Sequence, residues 1–135
     1  TKGVAAPAYH PVSGLPVIPL TIVSRSHRHI FRVEVAATPE EQARGLMFRT
    51  AMAADEGMIF PMDPPRTASF WMHDTILSLD IVFIGPDRRI IAIAADAAPY
   101  DDTSIPSGGV VSGVLELNAG RAKALGIAVG DRVGW

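Results

Sequence analysis

The chain has 135 residues, a formal charge of −2 and no cysteine; 48% of it is hydrophobic and 19% charged. That length fits one domain able to bury a core without a metal or disulfide staple. The charge balance excludes a protein built to neutralise phosphates, and the missing thiols exclude disulfides, thiol catalysis and thiolate metal sites. No apolar run approaches the roughly 20 residues a membrane-spanning helix needs.

Residues 1–15 are small and rich in turn formers, with Pro7, Pro11 and Gly14, and only Lys2 is charged before His10. This reads as a flexible leader ahead of one globular domain at 16–135. Its composition also fits the start of an exported, periplasmic protein after signal-peptide removal, with a cytoplasmic setting still compatible. Val17–Val23 is β-branched but interrupted by Pro19, which predicts an edge strand or the rim of a barrel.

His29–Ala36 alternates. Phe31, Val33 and Val35 fall on one face, and Arg32 and Glu34 on the other, predicting a half-buried strand with the charges outward. Thr38-Pro39-Glu40-Glu41 is a helix start: Thr38 caps, Pro39 suits the first turn, and Glu41 completes a capping box. Ala43, Leu46 and Met47 supply the inward stripe, so the helix should end near Met47 or Phe48.

Gly57–Phe60 predicts a short strand stopped by Pro61. Thr67–Met72 is extended, with Phe70 and Met72 facing opposite to Trp71. Leu79–Ile84 is almost wholly apolar, hence a central strand, and Gly85-Pro86-Asp87-Arg88 turns it into a hairpin with Arg89–Ala95. Ala97–Gly109 is a long loop. Val110–Leu117 is another strand, after which Asn118 caps a helix over Ala119–Leu125, closed by Gly126 with Ile127 as its apolar contact. A last short strand follows Gly130-Asp131. The sum is an α+β fold of about seven strands and two short helices, mostly antiparallel and barrel-like.

The chemistry concentrates around Phe70–Asp80. Asp80 is a carboxylate in an apolar strand and needs a partner: arginine, His73 or backbone N–H groups. His73 and Asp74 converge only if a turn begins there, because neighbours on a strand point to opposite faces. No nucleophile elbow accompanies them. His27 and His29 share a strand face but lack the ligand count of a metal site, so no metal is expected. Met47, Met52, Met58, Met62 and Met72 lie close together in the chain. They read as core or groove packing, with Cu(I) handling through thioethers as the alternative. Trp71, with Arg44, Arg49 and Arg66, offers a stacking site for a sugar, a base or a peptide.

Taken together, the motifs Thr38–Arg49, Gly57–Phe60, Phe70-Trp71-Met72 with Thr75, Leu79-Asp80 and Leu115–Gly120 resemble the prokaryotic family called domain of unknown function 192. The resemblance spans roughly residues 30 to 135. It implies a compact, mostly β domain, often secreted or membrane-tethered, and carries no established activity or cofactor. The family's usual Phe-Trp-Met-Lys-Asn-Thr reads here with His73 and Asp74 at its fourth and fifth places. The positions it offers as a ligand surface are Arg44, Arg49, Trp71, Thr75, Asp80 and Glu116, and His73 joins them by its place in the motif.

The expected function is a small binding or accessory module for a small ligand or a protein partner. Arg44 or Arg49 would hold an anionic group by paired N–H donors, with Trp71 as an apolar wall. The alternative is a hydrolase using Asp80, His73 or Glu116 as acid/base groups.

Overall fold

The computed structural model describes residues 8–135. Ten strands and two short helices follow one another along them: β1 (Ala8–Tyr9), β2 (Pro16–Ser24), β3 (His27–Val35), α1 (Pro39–Arg44), β4 (Glu56–Arg66), β5 (Ser69–Phe70), β6 (Leu79–Ile84), β7 (Ile90–Ala97), β8 (Ile105–Pro106), β9 (Val111–Asn118), α2 (Arg121–Leu125) and β10 (Arg132–Gly134). Eight of the strands form one sheet in the order β1-β2-β3-β4-β9-β6-β7, with β10 also paired to β2; β5 and β8 make a separate two-stranded ribbon. Antiparallel pairing dominates, but β3 and β4 run parallel, because α1 carries the chain back to the starting end of the sheet. Among the described residues no helix is long and apolar enough to cross a membrane.

The barrel-like expectation needs correction, because the sheet does not close. Its two ends approach where β10 meets the turn before β7, yet the contact is a single isolated bridge, Arg89 to Arg132, flanked by loop hydrogen bonds. Pro19 does not make β2 an edge strand. β2 pairs β3 along its length, while its other side pairs β1 at residues 16–17 and β10 at residues 21–23. Pro19 falls in the gap between those two short partners, where its missing N–H costs no ladder bond.

Pro61 likewise does not stop its strand. β4 runs on to Arg66, but β3 pairs it only as far as Ile59, so Pro61 stands where one side of β4 is free. The Gln42 side chain caps that edge, donating to the carbonyls of Ala36 and Pro61 at 3.0 and 2.8 Å. The expected leader divides: residues 1–7 lie outside the described residues, whereas Ala8–Tyr9 pair with β2 and Ser13 bonds to Glu34.

Side chains alternate across β4, β6 and β9, so both faces of the sheet carry a core. Leu20, Phe31, Ile59, Val82, Leu115 and Leu117 fill one face, closed by Ala122 and Ile127 at α2. Met58, Phe60, Met62, Ile81, Phe83 and Val114 fill the other, covered by Leu46 and by Phe70 and Met72. Three of the five methionines are therefore buried in one core and Met52 packs against it. Met58 and Met62 stand on β4 itself, and Met72 follows β5 on the segment that covers that face.

Candidate functional site

Thr38 and Glu41 form the expected capping box, and Pro39 opens α1. The helix is shorter than its apolar stripe predicts. It ends at Arg44, where Gly45 takes φ 49° and lies against Phe60; a Cβ there would stand 3.3 Å from the ring. Only glycine lets the chain turn this close to the sheet. Turns then carry Leu46 into the core and leave Phe48 outside, under the Arg44 guanidinium at 5.6 Å.

Between this segment and β5 lies an open cleft of about 410 Å³. Gln42, Arg44 and Leu46 form one wall, Phe70, Trp71 and Thr75 the other, with Phe60, Met62 and Glu116 beneath and Arg66 at the rim. Phe60 and Phe70 meet edge to face at 4.9 Å, which fixes the apolar wall. Arg66 donates to the Gln42 side-chain oxygen at 3.1 Å, tying the end of β4 to the α1 wall. A second hollow of about 330 Å³ lies across Arg44 and Gly45, lined also by Ser13, Leu15 and Arg49.

The sequence-predicted residues separate into distinct places. Arg44, Trp71, Thr75 and Glu116 share the first cleft. Arg49 does not face it; it is buried and donates to Glu34 at 2.8 Å. Glu34 was expected on the solvent face of β3 and is instead buried on it, because Ser13 and Arg49 cover that side. Asp80 is also buried, and its two oxygens accept the backbone N–H groups of Asp96 and Ala122, each at 3.0 Å. Both of its oxygens thus meet backbone donors, one of them in the first turn of α2. Asn118 does not cap that helix; its side chain donates to the Met52 carbonyl at 2.6 Å, and Gly120 occupies the cap position.

His73 and Asp74 do converge, because the chain turns there: Asp74 has φ 49°, and its carboxylate stands 3.3 Å from His73 Nε2. The stronger partner is one the sequence did not reveal. His73 Nδ1 donates to Asp102, from the Ala97–Gly109 loop, at 2.9 Å. That bond, with smaller contributions from the charges of Asp74 and Asp102, raises the His73 pKa. The imidazole stacks on Trp71 with ring centroids 4.5 Å apart, leaving the indole half exposed at the cleft edge. Thr75 donates to the His73 carbonyl at 2.9 Å, closing the turn from inside.

Glu116 sits on β9 opposite Met58 of β4 and Ile81 of β6. Paired residues share a face, so Glu116 looks into the cleft, while Asp80, opposite Leu117, looks out of the other side of the sheet. Burial alone pushes the Glu116 carboxyl up to about 8. Asp80, His73 and Glu116 thus do not converge as an acid/base set. His27 and His29 stack at 6.4 Å, and among the described residues no group of three or more His, Cys, Asp or Glu side chains is placed to hold a metal ion.

Comparison with known proteins agrees with this architecture. The family model described as DUF192, "Uncharacterized ACR", matches residues 21–135. A crystal structure of a protein of unknown function from Novosphingobium aromaticivorans is 54% identical, with a TM-score of 0.94, covering 100% of this chain and 99% of that one. A Sinorhizobium meliloti structure, described as a "putative transcription regulator", is 36% identical, with a TM-score of 0.86 and coverage of 98% and 97%. No curated protein matches the chain.

Proposed function

The chain belongs to the DUF192 family, and from its cleft we propose that it is a binding module for a small molecule with an apolar body and an anionic group. The carrying observation is the cleft itself: aromatic and aliphatic walls beneath two exposed guanidinium groups, Arg44 and Arg66, in a volume typical of small-molecule sites. Arginine presents paired N–H donors to a carboxylate, and Trp71 offers half its surface as a flat apolar contact. An exported, periplasmic setting is part of the proposal. It is supported by the small, proline-bearing composition of residues 1–15 and is tested by fractionating cells that express the complete gene product. The net charge of −2 offers no basic excess to neutralise a run of phosphates, so the reading stays with a small ligand and not a nucleic acid.

A thermal-shift series tests the binding reading. Aryl and alkyl carboxylates should raise the melting temperature by several degrees near saturation, and the matching amines should not. Arg44→Ala and Trp71→Ala should abolish the rise while keeping the melting temperature of the free protein. Equal shifts with carboxylates and amines, or shifts that persist in both variants, would sink it.

A further inference from the structure

Three carboxylates are buried in this protein, at Glu34, Asp80 and Glu116. Two of them accept hydrogen bonds from the protein. Glu34 takes hydrogen bonds from Arg49 and Ser13, and Asp80 takes two from backbone N–H groups. Glu116 is 4% exposed, its carboxyl opens onto the cleft, and none of the hydrogen bonds or ion pairs among the described residues reaches it. A nearly buried carboxyl that opens onto a cleft and has no protein partner is placed to bond with whatever fills that cleft.

We infer that the Glu116 carboxyl is the polar anchor at the inner end of the cleft, and that the ligand is a carbonyl-bearing apolar carboxylate of the N-acyl amino acid type. Its carboxylate meets Arg44 or Arg66 at the rim, its apolar side chain lies against Phe60 and Phe70, and its carbonyl oxygen accepts a hydrogen bond from Glu116. This rests on the reading of the cleft as a binding site and names its ligand class.

The surroundings decide which form of Glu116 does this. Met58 and Ile81 face it from the flanking strands β4 and β6, and Trp71 and Thr75 from across the cleft carry no charge. The other charged cleft residues are Arg44 on α1 and Arg66 on β4, both exposed, and neither contributes to holding the carboxyl ionised. The acid is therefore neutral near pH 7 and carries an O–H to donate. An ionised Glu116 would have no proton to give and would repel the ligand's own carboxylate.

The test compares N-acetylphenylalanine with 3-phenylpropionate, which lacks the amide carbonyl, by calorimetric titration. The wild-type protein should prefer the acetylated probe by about tenfold, one hydrogen bond's worth. Its affinity should fall about tenfold per pH unit once the pH passes about 8. Glu116→Gln keeps an N–H donor, so it should retain the preference and lose the pH dependence. Glu116→Leu should bring the preference to about one. If both probes bind through Arg44 but Glu116→Leu keeps the preference, or wild-type affinity stays flat to about pH 9.5, the Glu116 anchor is overturned and the binding module stands. If neither probe binds, the anchor and the carboxylate cleft both fall. Melting curves of the variants show that each loss is of binding and not of fold.

Discussion

Arg49 Nη1 donates to Glu34 Oε1 at 2.8 Å, with the two side chains only 8% and 4% exposed. Ser13 donates to the same carboxylate oxygen at 2.5 Å, and Arg49 Nη2 reaches His10 Nε2 at 3.0 Å. One ion pair thus fastens the segment before β2 to β3 and to the turn after α1. Buried charge pairs are destabilising to break because the survivor is left without compensation. Arg49→Ala should therefore cost about 3–5 kcal/mol in urea unfolding. Removing Glu34 as well should cost less than the sum of the two single variants. A loss below about 1 kcal/mol for Arg49→Ala would show the pair to be solvated.

Asp80 is tested by the same logic with a different geometry. Its Oδ1 accepts from Asp96 and its Oδ2 from Ala122, so one side chain ties β7 and the first turn of α2 to β6. Hydrogen bonds to a charged group are worth about 1.5–3 kcal/mol each. Asp80→Ala should cost about 3–5 kcal/mol, and Asp80→Asn, which keeps one acceptor, roughly half of that. If Asp80→Ala unfolds at the wild-type urea midpoint but alters binding of aryl carboxylates, Asp80 is a functional group after all.

Much of this was readable from the chain, and the misses share a cause. The capping box at Thr38 and Glu41 and the 79–95 hairpin depend on neighbours within a few residues, and the structure keeps both. Trp71 outside with Met72 inside follows from simple alternation. Glu34 was misplaced because alternation says which residues share a face, not whether something covers it. Its covering residues, Ser13 and Arg49, lie 21 and 15 positions away. The partner of His73 is 29 positions away in a loop with no periodic signal. The ion pair of Arg49 is hidden for the same reason: its charge is visible in the sequence, but the counter-charge of Glu34 lies 15 positions away.

His73 gives a prediction read directly by NMR titration. Its bond to Asp102, then the charges of Asp74 and Asp102, favour the imidazolium and raise its pKa above the ordinary value near 6.5. A raised histidine pKa stabilises the fold below about pH 6.5, and that contribution fades as the pH climbs through the folded-state value. Asp102→Asn should bring the pKa down toward 6.5 and release the 97–109 loop from the imidazole. It should also weaken the Trp71–His73 stack, seen as a change in tryptophan fluorescence with pH. A His73 titration unchanged in Asp102→Asn would mean that Asp74 is the controlling partner.

Glu116 sets the opposite kind of pH dependence, through a carboxyl that burial holds up to about 8 against an ordinary 4.5. Between those values the folded protein keeps a proton that the unfolded chain releases. Stability therefore falls as pH rises across the window. The contribution is fully present below about pH 4.5 and fully lost above about pH 8, a change on the order of 5 kcal/mol. Glu116→Gln removes the titrating group at the same position and shape. Its stability relative to wild type should therefore grow steadily from about pH 5 to about pH 8 and then level off. Urea midpoints across that range measure the difference directly. Parallel curves for the two proteins would mean that Glu116 ionises freely in the folded state, with a cation or solvent reaching it in the cleft. A difference that appears only below pH 5 would mean that Glu116 is held charged in the folded protein.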